Sequence, residues 1–119
     1  MGIEKITTLG KLNVSEDAIA TLAGGVVSEC YGVVGMASQK ILKDGLAELL
    51  KKENYSKGVV VRQHDKGYEL DLFIIIGYGV KISEVIHEVQ KKVKYTLEKT
   101  LDQPFLSINV YVQGVKVIK

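Results

Sequence analysis

"KGVVVRQHDKGYELDLFIIIGYGVKISEVIHEVQ", residues 57–90, decides the fold. Two apolar runs, "KGVVVRQ" and "YELDLFIII", flank "HDKG", whose Asp and Gly suit a short hairpin turn. With His64 to Gly67 as the turn, Gln63 faces Tyr68, Arg62 faces Glu69 and Val61 faces Leu70. That register puts Val59, Val61, Leu70, Leu72, Ile74 and Ile76 on one face, and pairs the opposite charges of Arg62 and Glu69 on the other. Past Gly77-Tyr78-Gly79, the residues Ile82, Val85, Ile86, Val89, Val93, Leu97 and Leu101 recur mostly at spacings of three or four. The spacing predicts a long amphipathic helix, with lysines and glutamates on much of its other face.

A strand, a glycine turn and a helix N-terminus are also the parts of a phosphate cradle. The dinucleotide fingerprint is incomplete here. Ile82 fills the third glycine position, and the preceding strand reads as the second arm of a hairpin, not the start of a βαβ unit. The place for the acidic ribose ligand falls within the helix. No G-x-x-x-x-G-K-[ST] occurs either. The glycines are read as a strand-to-helix corner.

Outward from this segment, Pro104 closes the helix and "FLSINVYVQG" is a strand with Leu106, Ile108, Val110 and Val112 expected inward. Toward the N-terminus, "ILKDGLAELLKKEN" reads as a short helix with Leu46, Leu49 and Leu50 on its apolar side, and "VVGMAS" as a strand. Residues 10–15, "GKLNVS", alternate as a short strand. Ser15 caps a helix that begins with Glu16 and Asp17, whose charges suit its positive end. That helix is expected to reach about Cys30, with Ala18, Ala20, Ala23, Gly24 and Gly25 making it small-sided for close packing. The order is β-α-β-α-β-β-α-β. The central antiparallel hairpin excludes a purely parallel sheet, which makes this an α+β chain with a small mixed sheet and helices mainly on one face.

A length of 119 residues suits one domain, 1–119, with a single core. Apolar residues at 46% and a net charge of +2 argue against disorder. No apolar run approaches the ~20 residues that cross a bilayer, and the first residues lack a signal-peptide core and a myristoylation signal. These features point to the cytoplasm without direct membrane insertion, and the single cysteine fits a reducing compartment. Of sixteen basic residues only Arg62 is an arginine, so the positive balance reads as a lysine-solvated surface and a nucleic-acid partner is disfavoured.

Candidate chemical groups are sparse. Cys30 lies on an apolar stripe, where a free thiol behaves as a small hydrophobe. "EVIH", Glu84 to His87, puts two metal-type ligands on one helix face, but neither other expected helix carries a histidine. His64, Asp65, Glu69 and Asp71 read as turn and solvent-face residues. No catalytic residue, metal site or cofactor is expected.

Four segments in order resemble the alkaline-shock-protein family of Gram-positive bacteria, also called the envelope-stress-response family. They are "GKLNVSEDAIATLAGGVVSECYGVVGM", "GLAELLKKENYSKGVVV", "IIIGYGVKISEVIHEVQKKVKYTLEKTL" and "INVYVQGVKV", spanning 10–117. Cys30-Tyr31 departs from the small apolar or proline residue expected there. The resemblance implies a non-enzymatic cytoplasmic protein of the envelope stress response, sometimes held at the membrane by an anchor protein. Short members are associated with fatty-acid and phospholipid metabolism, which makes an accessory subunit of a lipid-metabolism enzyme the alternative. An RNA-binding module ranks below both. The family offers no catalytic residue to carry over.

One surface follows from the strand pattern. On "YELDLFIII" the side away from the helices begins with Glu69 and Asp71 and becomes Phe73 and Ile75. These two would lie on an uncovered sheet face near Val60 and Tyr111, a patch of the kind that marks self-association into a homo-oligomer, unless the first strand, the N-terminal residues or the short second helix folds over it.

Overall fold

The computed structural model describes residues 3–6, 11–41, 47–50 and 52–117. Its spine is the expected hairpin, β5 (Val59–His64) and β6 (Gly67–Gly77). The register is the one read from the sequence: His64 opposite Gly67, Gln63 opposite Tyr68, Arg62 opposite Glu69, Val61 opposite Leu70. Asp65 and Lys66 make the turn. Alternation sets the faces, and Tyr68, Leu70, Leu72, Ile74 and Ile76 are all buried in the main core.

β6 is long enough to hold three partners. One edge is shared by β5, as far as Leu72, and by β3 (Val33–Ile41), which pairs antiparallel with Ile74–Ile76. The other edge carries β7 (Phe105–Lys116) in parallel. The sheet is therefore mixed, as expected. The parallel pair is joined through α2 (Ile82–Leu101), so β6, α2 and β7 form a βαβ unit. This corrects the reading of β6 as only a hairpin arm. A strand with two free edges serves as hairpin arm on one and as crossover partner on the other.

α2 follows its pattern. Val85, Val89, Val93, Leu97 and Leu101 are buried, each contributing about 1.5–3 kcal/mol relative to exposure. Ile86 is half-buried, and Ile82, in the first turn, is exposed. Asp102 ends the helix in the left-handed region, its amide donating to the Glu98 carbonyl. α1 (Glu16–Ser28) begins at Ser15, whose Oγ accepts from the Ala18 amide at 3.0 Å. It buries Ile19, Ala20, Ala23, Gly24 and Val27. Its small side also admits a neighbour other than the sheet: a Cβ on Gly24 would sit 3.2 Å from Tyr55 Cβ. α1 and α2 pack together, α1 against β3 and β5 and α2 against β7. Both long helices thus cover one face, as expected.

Three expectations change. The short helix over 41–54 is replaced by β4 (Ala47–Leu49) and a 3-10 helix (Lys52–Gly58); residues 42–46 and 51 lie outside the described residues. Ile41 remains in β3 and pairs with Ala47, and Leu50 enters the core with its amide donating to the Met36 carbonyl at 2.8 Å. The edge of β3 has overridden a short leucine spacing that fits either state. Leu106 is exposed, because an irregularity beside Phe105 leaves it as an extra residue. Phe105 and Ile108 are the buried pair, with Val110 and Val112 half-buried against the core. Finally, α1 stops at Ser28, and Cys30 lies in the turn after it. Lys11–Val14 is a strand (β2), as read, but its partner is Ile3–Ile6 (β1) in a separate two-stranded sheet.

Candidate interaction surface on the open sheet face

Opposite the helices, β5, β6 and β7 present Arg62 and His64, then Glu69, Asp71, Phe73 and Ile75, then Ser107, Asn109 and Tyr111. The end near the hairpin is a polar ladder. Arg62 Nη2 lies 2.9 Å from Glu69 Oε2 and 2.8 Å from Asp71 Oδ1. Asn109 Nδ2 donates to the same two oxygens at 2.8 and 3.0 Å, and Ser107 Oγ donates to Asn109 Oδ1 at 3.0 Å. His64 Nε2 sits 2.9 Å from Glu69 Oε1. The amide of Asn109 and then the His64 ring hold the Glu69 carboxyl below its ordinary range, with the charge of Arg62 adding to the effect. Both carboxylates are committed to fixed donors. The arrangement makes a charged surface whose carboxylates already hold partners within the chain.

The other end is apolar. The rings of Phe73 and Tyr111 stack with centroids 5.2 Å apart and 17° between planes. Phe73 is only 8% exposed, whereas Tyr111 is 44% exposed. This corrects the expectation that Phe73 lies bare: a side chain on the central strand is flanked on both sides, and here the tyrosine takes the solvent side. Ile75 and Val60 are half-buried. Gly114 faces Ile75 across the β6–β7 pair and puts no side chain over it. The apolar surface left at this end is therefore the Tyr111 ring with Ile75 beside it.

The other residues singled out fall elsewhere. Gly77 donates its amide to the Gly32 carbonyl at 2.9 Å, Tyr78 donates to the Lys116 carbonyl at 2.8 Å, and Gly79 takes a φ of +92°. The cavity beside this corner, about 260 Å³, is lined by Tyr31, Lys81, Glu84, Val85 and Glu88. Its two carboxylates oppose a phosphate, so the corner reading stands. Cys30 is buried, its Sγ 3.5 Å from the Val26 carbonyl oxygen, and burial pushes its thiol pKa up, with Lys92 opposing and Glu88 and Glu29 adding to the rise. It belongs to the core under the helices, while His64 projects from the opposite sheet face. Glu84 and His87 are both exposed; Glu84 pairs with Lys81 at 3.6 Å, and His87 stands with Lys91 and Lys94. Among the described residues no group of three or more His, Cys, Asp or Glu is placed to hold a metal ion.

Sequence reasoning found the Arg62–Glu69 pair and missed Ser107 and Asn109. Their signal was present in β7, two polar residues alternating with apolar ones, but only the parallel register places them beside Glu69 and Asp71.

Similar proteins cover the same span. The chain is 52% identical over 117 residues to the protein YloU of Bacillus subtilis (strain 168), covering 98% of each. It is 47% identical over 118 residues to Spy1614 of Streptococcus pyogenes serotype M6, covering 99% of this chain and 98% of that one. A more distant relative, YqhY of Bacillus subtilis, is 31% identical over 110 residues, 92% of this chain and 80% of its own. All three names describe uncharacterized proteins. The model of one family matches residues 4–117, nearly the whole fold described above, and the chain belongs to that family, the alkaline shock protein 23 family of cell envelope-related function.

Proposed function

We propose that this chain is a non-enzymatic protein of the cell-envelope stress response that works through protein contacts, the first of them self-association across the open sheet face. The observation that carries this reading is the Tyr111 ring, stacked on Phe73 beside Ile75 on a face that neither long helix covers. Aromatic residues on an otherwise polar face are the usual anchors of a contact surface. The carboxylates next to this patch are tied into a structural ladder, which supports a binding role over a catalytic one. The family's cell envelope-related function sets the context. No helix among the described residues is long and apolar enough to cross a membrane, which favours contact with the envelope through a membrane-anchor protein.

The test is the oligomeric state, measured by light scattering on the wild type and on Tyr111→Lys. Tyr111 is the position to charge, because a lysine at the buried Phe73 would compromise the fold. The wild type should be a dimer or larger at high micromolar concentration, and Tyr111→Lys should stay folded and dissociate. A monomeric wild type at that concentration ends the proposal.

A further inference from the structure

β7 is an edge strand: among the described residues it pairs only with β6. Its outer edge runs beside α2, and the helix already reaches for it. The Phe105 amide donates to Glu98 Oε2 at 2.9 Å, Lys94 Nζ donates to the Phe105 carbonyl at 2.9 Å, and Gln90 Nε2 donates to the Ile108 carbonyl at 2.9 Å. Backbone groups alternate sides along a strand, so Val110 and Val112 present their amides and carbonyls to the same side as Ile108. No described residue pairs with that side of Val110 or Val112. Beside the Ile108 end runs an open groove of about 340 Å³, walled by His87, Lys91 and Lys94 and floored by Leu106 and Ile108. Leu106 is half exposed, Lys91 makes no ion pair among the described residues, and Lys94 shares its charge with Glu98 at 3.7 Å.

We propose that this groove takes an extended acidic segment of a partner protein, which adds to the sheet along β7 and sets its carboxylates against His87, Lys91 and Lys94. The free edge at Val110 and Val112 supplies main-chain bonds, as in other strand-addition complexes, and the helix wall selects the charge. Alternate side chains of the segment face α2, so acidic residues at every second position fit the wall, with neutral or apolar residues between them. The flexible Gln90 and Lys94 swing aside as the segment enters; until then they shield the edge against unselected pairing. A nucleic acid fits less well. The strand edge alternates amide donors with carbonyl acceptors, a pattern that a phosphate backbone, which only accepts, cannot complete, and the chain's one arginine is held in the ladder on the sheet face.

The test uses the full chain and a fluorescent dodecapeptide with Glu at alternate positions and Leu, Val or Thr between. Controls are the same peptide with Lys for Glu, the acidic peptide N-methylated along one edge, a single-stranded oligonucleotide and vesicles rich in phosphatidylglycerol. The acidic peptide should bind in anisotropy, weaken with salt, and lose about tenfold or more in affinity with Lys91→Glu, which leaves the Lys94 and Gln90 tethers in place. N-methylation should abolish binding, and amide resonances of Val110 and Val112 should shift on titration. No binding of the acidic peptide, equal binding of the lysine or N-methylated peptide, or unchanged affinity in a folded Lys91→Glu variant overturns the proposal. Binding of the oligonucleotide or the vesicles in preference to the acidic peptide overturns it as well.

Discussion

Gly32 is a position where a single added carbon should meet both a backbone penalty and a packing penalty. It follows Cys30 and Tyr31 in the turn that leads into β3, with a φ of +89°. A Cβ built there would lie 2.6 Å from Val85 Cγ2, on the buried stripe of α2. Two terms add for Gly32→Ala. The left-handed backbone costs a non-glycine residue about 1–2 kcal/mol, and forcing a buried valine to move costs about 1–3 kcal/mol. Gly79 separates them, because it has nearly the same φ, +92°, and nothing within 4 Å of its virtual Cβ. Gly79→Ala should therefore show the backbone cost alone, about 1–2 kcal/mol. Gly25 completes the series. It sits inside α1 with open space around it, so Gly25→Ala should stabilise by roughly 0.5–1 kcal/mol. Urea unfolding of the three variants gives the order directly, and Val85→Ala in the Gly32→Ala background should cost less than the sum of the two single changes. Equal losses at Gly32 and Gly79, or additive losses in the double variant, would refute the clash with Val85.

Cys30 should react slowly with a thiol reagent in the native protein at neutral pH, and Cys30→Ala should cost about 1 kcal/mol of packing; rapid stoichiometric labelling contradicts this. Because the folded pKa of Glu69 is depressed, its ladder bonds add stability above the ordinary carboxylate range and lose it as pH falls through the folded value. Glu69→Gln should then be less stable than wild type at neutral pH, with the gap in melting temperature closing in acid; a constant gap rules out the charged ladder. Deleting Leu106 should leave a folded protein with a regular β6–β7 pair, since Phe105 and Ser107 already face Tyr68 and Glu69. Deleting Ile108 should cost about 3 kcal/mol or more by removing a core side chain, so comparable melting temperatures for the two deletions would count against the register.

The parts of the fold legible in the sequence were those fixed by local pattern. The β5–β6 register follows from a short turn and strict alternation, and the α2 stripe from five buried residues spaced four apart. The cap at Ser15 needed only the residue types that follow it. What was not legible depended on partners distant in sequence. Ala47–Leu49 reads as helix until β3 offers an edge, and β3 is itself placed by the far end of β6. Leu106 reads as inward because alternation holds only in the absence of an extra residue, and nothing local marks the irregularity. The surface was half legible for the same reason. Arg62 and Glu69 meet through a two-residue turn, whereas Asn109 reaches Glu69 across forty positions, by way of a helix and a parallel pair.

The ladder and the Tyr111 patch also constrain any two-fold pair formed on the open face. Isologous contact brings each residue near its own copy at the axis. The ladder sets one arginine, Arg62, against two carboxylates, Glu69 and Asp71, so two ladders placed face to face bring like charges together. Their carboxylates are already paired within one chain, and stripping water from them would gain no new partner. At the other end Tyr111 and Ile75 lose little by leaving water. The axis must therefore fall near Tyr111, with the strands of the two copies offset so that the rings overlap and the ladders stay solvated at opposite ends. In that arrangement the polar ladder sets the register of the pair by exclusion, and the apolar end supplies the attraction.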